Sequence, residues 1–249
     1  MKGLVLVLGA LLVAVVAAPP ARAAQAWVKR ALEIGDRDPG RRIDPPKIAR
    51  YTVDAGGDFV LDRSGRTPLL KLDDNPEVFA LAASRGPRGD VIYRNDLDEP
   101  VLRSTKLGGM TIFTVRNPDG AAAALVGQGA PLGLVPMSSV ALYRRLVEAS
   151  VRSSRVSQRL IGFDAPQVDP SADGLVADTA TLASNAVVRL AAKPGGKVAL
   201  SRITKIIFTV GKHPDVIVRG PVITISVTPS DGLAGRPSSG RIGLALEGR

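Results

Sequence analysis

The first pattern along the chain is an unbroken apolar run from Leu4 to Ala18, preceded by Met1 and Lys2 and stopped by Pro19-Pro20. A positive start, a short apolar stretch and small residues beyond it make a secretory signal. The run is shorter than the roughly 20 apolar residues a spanning helix needs. The reading is therefore a cleaved signal over 1–23 and no transmembrane anchor in the mature chain. Cleavage follows Ala21-Arg22-Ala23 or, alternatively, Ala24-Gln25-Ala26. Residues 24–49 read as a linker, in which a short helical pattern from Trp27 to Glu33 gives way to the charged, Gly- and Pro-rich stretch from Gly35 to Pro46.

From Arg50 to Val126 the apolar period is two and turn signals recur, the pattern of a β-meander. Tyr51 and Val53 alternate before Gly56-Gly57, Phe59 and Leu61 before Ser64-Gly65, and Leu70 and Leu72 before Asp73-Asp74-Asn75-Pro76. Further strands are predicted at Val78 to Ala82, Val91 to Arg94, Pro100 to Ser104, Thr111 to Arg116 and Ala121 to Val126. Asn117-Pro118-Asp119-Gly120 supplies a hairpin turn, with Pro presetting one backbone angle and Gly accepting a positive φ.

Near Met137 the spacing becomes helical. Ser138 or Ser139 is the N-cap, Leu142, Leu146, Val156 and Leu160 form the apolar stripe, and Ser153-Ser154 is a point where the helix can break. A second helix, Leu175 to Lys193, places Val176, Leu182, Val187 and Leu190 on one side and stops at Pro194-Gly195-Gly196. Strands return at Lys197 to Arg202, Ile206 to Val210, Asp215 to Val218 and Val222 to Thr228, and the tail after Pro229 reads as irregular. The order predicts an α+β fold: an antiparallel β-meander, a helical hairpin, then a second group of β-strands. Strict strand-helix alternation is missing, which argues against a doubly wound parallel sheet. Residues 50–249 are read as one domain, with 50–134 and 135–249 as possible subdomains; whether the strand groups share a sheet is open.

Composition changes this picture in two ways. The chain has no cysteine, so disulfides, thiolate zinc sites, cysteine nucleophiles and lipoprotein acylation are excluded. Its formal net charge is +10, lowered by two when Lys2 and Arg22 leave with the signal. An exported chain of this charge meets acidic lipids and anionic envelope polymers before nucleic acid, so no nucleic-acid partner is expected. The expected compartment is the periplasm, or the exterior after secretion.

Candidate chemistry is sparse. His213, the single histidine, lies in Gly211-Lys212-His213-Pro214-Asp215 between two predicted strands. A serine hydrolase would need a nucleophile beside it, and Ser138, Ser139, Ser238 and Ser239 each read more simply as caps or turn residues; no Gly-x-Ser-x-Gly elbow exists. The acids Asp54, Asp58, Asp62, Asp73 and Asp74, and then Asp90, Asp96, Asp98 and Glu99, gather at strand ends, where Asp serves turns. Asp96 and Asp98, beside Tyr93 and Arg94, are the carboxylates to test as a catalytic pair. No glycine-rich phosphate loop and no metal set is present, and no cofactor is implied. Arg144, Arg145, Arg152, Arg155 and Arg159 fall away from the first helix's apolar stripe and make a basic face able to bind anionic lipid or polymer.

The runs Gly57-Asp58-Phe59-Val60-Leu61-Asp62, Arg88-Gly89-Asp90-Val91-Ile92-Tyr93-Arg94-Asn95-Asp96 and Leu107-Gly108-Gly109, with Gly235-Arg236-Pro237-Ser238-Ser239 near the end, resemble a family of exported alphaproteobacterial proteins, a domain of unknown function. That resemblance implies the compartment and carries no site residues. Three functions remain: a non-catalytic envelope module binding an anionic partner or another envelope protein, an assembly factor recruiting a chain to exposed strand edges, and an envelope hydrolase using His213 or an Asp/Glu pair.

Overall fold

The structure is a computed structural model and describes residues 45–248 apart from residue 55. The signal and most of the linker reading lie outside the described residues. Nine strands follow one another from Ile48: β1 (Ile48–Val53), β2 (Asp58–Asp62), β3 (Leu69–Leu72), β4 (Val78–Ala80), β5 (Ala82–Arg85), β6 (Val91–Arg94), β7 (Pro100–Ser104), β8 (Met110–Ile112) and β9 (Ala121–Gln128). Consecutive strands pair antiparallel except β4 and β5, and β1 also pairs with β9. The hydrogen-bonded order is therefore β4-β3-β2-β1-β9-β8-β7-β6-β5. Its two ends are consecutive in the chain, separated only by Leu81, whose N–H donates to the Pro68 carbonyl at 2.8 Å. One bent strand thus serves both ends, β4 pairing with β3 and β5 with β6, and curls the meander into a barrel.

Period-two alternation turns Ala49, Tyr51, Phe59, Leu61, Leu70, Leu102 and Ile112 inward, where they pack as a core with Leu81 and Tyr93. The Tyr51 and Phe59 rings stack at 5.0 Å. At Asn117-Pro118-Asp119-Gly120 the predicted turn forms between β8 and β9, and Gly120 holds φ at +92°.

A mixed layer follows: α1 (Ser139–Ser157), β10 (Gly162–Asp164), α2 (Asp173–Ala191), α3 (Gly196–Leu200), β11 (Lys205–Val210), β12 (Asp215–Arg219), β13 (Val222–Val227) and α4 (Ser239–Glu247). The sheet order is β10-β11-β13-β12, with β10, β11 and β13 parallel and β12 antiparallel to β13. Ile206, Phe208, Ile223, Ile225 and Val227 point to the helices and form a second core with α2, which is buried along most of its surface. The α+β architecture predicted from the sequence is the one observed, and the strand groups form two sheets.

Five local expectations fail, the first being the strand read at Thr111 to Arg116, which ends at Ile112. Lys197 to Arg202 is mostly helix α3, because Gly196 and Leu200 are buried four residues apart while Val198 faces solvent; a short apolar run does not distinguish the two periods. The tail after Pro229 is a 3-10 turn and then α4, whose Ser239, Ile242 and Leu246 face the core despite two glycines. Helix α1 runs unbroken through Ser153-Ser154, since Ser153 is buried against Ser184 of α2 at 3.3 Å. Leu160 lies beyond the helix end and is exposed, so the buried stripe is Leu142, Leu146 and Ala149. Among the described residues no helix is long and apolar enough to cross a membrane.

Candidate functional site

Helix α1 begins at Ser138, whose hydroxyl accepts the Ala141 N–H at 3.3 Å, and ends where Gln158 turns left-handed with φ 57°. Its inner face rests on α2, fixed at one end by the Ser139 hydroxyl donating to Asp173 at 2.6 Å. The opposite face carries Val140, Tyr143, Val147 and Val151, spaced three, four and four residues apart and all exposed; Val140 and Tyr143 are 72% and 70% accessible. That spacing puts them in one line along the helix.

The five arginines named from the sequence are all exposed, but they differ in freedom. Arg145 pairs with Glu148 at 3.1 Å, and Arg152 donates to Asn185 of α2 at 2.5 Å. Arg144 and Arg155 follow Val140 and Val151 by one turn, so they flank the apolar line, and Arg159 follows just past the helix end. None of these three guanidinium groups has a hydrogen bond or ion pair with a described residue, so their charges face solvent unneutralised. An apolar line bordered by free guanidinium groups is the chemistry of a surface that meets a lipid headgroup layer. The arginines are legible in the sequence but the exposed valines are not, because a helix with apolar residues on both sides hides the outer set behind the core set.

The catalytic candidates have other employment. Asp96 Oδ2 accepts the Ser238 N–H at 2.7 Å, and the Ser238 hydroxyl accepts the Arg241 N–H at 3.0 Å, so both complete the N-terminus of α4. Beside them buried Glu77 accepts the Ser239 N–H at 2.9 Å and the Ser239 hydroxyl. Arg236, 5% accessible, pairs with Asp178 of α2 and donates to the Val78 carbonyl at 3.1 Å. This junction, which rims a cavity of about 170 Å³, ties the barrel to the helix layer. Asp98 stands apart from it at an exposed turn with φ 62°, held by Arg94 through its carbonyl at 2.6 Å. His213 is exposed in the β11–β12 loop and has no side-chain hydrogen bond to a described residue. Asp96 and Asp98 therefore share no site, and neither serine at α4 is paired with the imidazole.

Most of the remaining acids neutralise arginines or cap turns. Arg50 bridges Asp58 at 3.0 Å and Asp73 at 2.5 Å, Arg103 reaches Asp90 at 2.5 Å, and Arg116 reaches Asp74 at 3.3 Å across a cavity of about 240 Å³ at the barrel mouth. Asp62 accepts from the Ser64 N–H at 2.9 Å, its hydroxyl at 2.6 Å and the Leu132 N–H at 3.0 Å. Burial pushes its carboxyl up, but these donors outweigh burial and hold it below the ordinary carboxylate range.

Residues 28–246 match the family described as Domain of unknown function (DUF4908). The chain belongs to that family. The matched span takes in the barrel, the α/β layer and all but the end of α4, and so both the α1 face and the junction belong to the family's shared domain. Neither the curated proteins nor the solved structures yielded a match.

Proposed function

We propose that the chain is exported to the periplasm and acts there, or after secretion, as a non-catalytic binding module whose α1 face docks on an anionic membrane surface. The observation that carries this reading is the exposed line Val140, Tyr143, Val147 and Val151 bordered by the free cations Arg144, Arg155 and Arg159. Apolar side chains enter the boundary between headgroups and acyl chains, while arginine keeps its charge at the phosphate level and buries its stem. Each cation near an anionic leaflet contributes about 1 kcal/mol, so two or three of them with four small apolar contacts give reversible attachment.

The test is co-sedimentation of the mature chain with vesicles. Binding is expected to phosphatidylglycerol vesicles, to be weak to phosphatidylcholine vesicles, and to fall as salt rises. Arg144→Glu with Arg155→Glu is expected to lower affinity by at least about tenfold while thermal unfolding stays unchanged. Salt-independent binding, or equal binding by the variant, contradicts the proposal. Retention by soluble anionic polymer with none by vesicles assigns the face to a polymer instead. Export has its own check: mass spectrometry of the periplasmic protein should find an N-terminus at Ala24 or Trp27, and a retained Met1 would overturn it.

A further inference from the structure

The second sheet has a free edge. Its order ends at β12, which pairs only with β13. The other end, β10, is three residues long and lies against α1. Strand β12 reads Asp215-Val216-Ile217-Val218-Arg219, with Ile217 and Val218 exposed, so its apolar centre carries no charge of the kind that usually blunts an edge. The Val216 N–H is turned away from β13, since the Asp215 carboxylate takes it at 2.8 Å. Alternation along an antiparallel strand then turns the Val218 backbone outward as well.

We propose that β12 is the contact through which two copies of this chain associate, pairing antiparallel about a two-fold axis at Ile217. The sequence is self-complementary in that register and in no neighbouring one. Val216 lies opposite Val218 of the second copy, and these are the residues whose backbone groups point outward. Ile217 meets Ile217 as the close, non-hydrogen-bonded pair. Asp215 of each copy stands opposite Arg219 of the other, twice by symmetry. On association the carboxylate of Asp215, which also lies 3.7 Å from the Arg241 guanidinium, exchanges its own strand's N–H for the facing Arg219, and a carbonyl of the second strand takes over that N–H. The four-stranded sheet is continued across the axis, and both helix layers stand on the same side of it.

Sedimentation equilibrium of the mature chain tests this. A reversible dimer is expected for the natural sequence. Ile217→Lys, at an exposed position that does not disturb folding, is expected to be monomeric because two ammonium groups meet at the axis. Arg219→Asp is expected to weaken the dimer by about tenfold or more, since attraction becomes repulsion at two symmetric places. Adding Asp215→Arg to Arg219→Asp is expected to restore it, with circular dichroism confirming the fold of each variant. A natural chain that stays monomeric, a dimer indifferent to Ile217→Lys, or a charge exchange that fails to rescue overturns the proposal.

Discussion

At the scale of single residues, the junction under α4 rests on groups that have no substitute partner. Glu77→Ala would leave the buried Ser239 N–H and hydroxyl unpaired. Orphaning buried donors costs about 1–3 kcal/mol each, so we expect a loss of roughly 3 kcal/mol in urea unfolding. Gly235 is equally constrained: a Cβ there would stand 1.9 Å from the Thr228 carbonyl oxygen, backbone against backbone. Gly235→Ala is expected to cost about 2 kcal/mol or more. Asp62 adds a pH dependence. Its folded value lies below the unfolded one of about 3.9, so it stabilises the fold above that pH, and the contribution is lost as pH falls through the folded value. The gap in unfolding free energy between the natural chain and Asp62→Asn is expected to be constant near neutrality and to shrink below about pH 4. None of these roles is legible from the sequence beyond the general affinity of Ser and Asp for caps and turns. The partners are far apart in the chain, as Glu77 and Ser239 are, and such adjacency leaves no local trace.

Among elements, legibility tracks the strength of the period. The strands from Tyr51 to Leu72 and the helix over Asp173–Ala191 were readable, because each buries a regular set of apolar residues. Helix α4 was not, since its glycines hide a four-residue apolar spacing and its formation depends on packing and on caps brought from the barrel. Gly243 of that helix faces open space, with nothing within 4 Å of an added Cβ. Gly243→Ala is therefore expected to stabilise the chain by about 0.5–1 kcal/mol, the reverse of Gly235→Ala, as measured in the same urea series. The barrel's closure was also unreadable: the meander was evident, but the bend at Leu81 that lets one strand serve both ends follows from curvature, and no turn residue marks it.

For the whole molecule, barrel and helix layer are joined by Glu77, Asp96 and Arg236, each linking residues from distant parts of the chain, while Asp62 holds the connector at Leu132. The basic helix α1 lies over the β10 side of the second sheet and α4 over β12. A dimer through β12 would therefore carry two α1 helices on one side of the continued sheet, and two weak attachments to one surface act together. The absence of cysteine allows the membrane claim to be tested at a single point. An environment-sensitive fluorophore on Tyr143→Cys is expected to shift to the blue when phosphatidylglycerol vesicles are added. It should stay unshifted with phosphatidylcholine vesicles and return when salt is raised to about 0.5 M, where the Debye length is only a few ångströms. A probe at Tyr143 that remains in water while the protein is bound, or that shifts equally on neutral vesicles, would contradict docking through the α1 face.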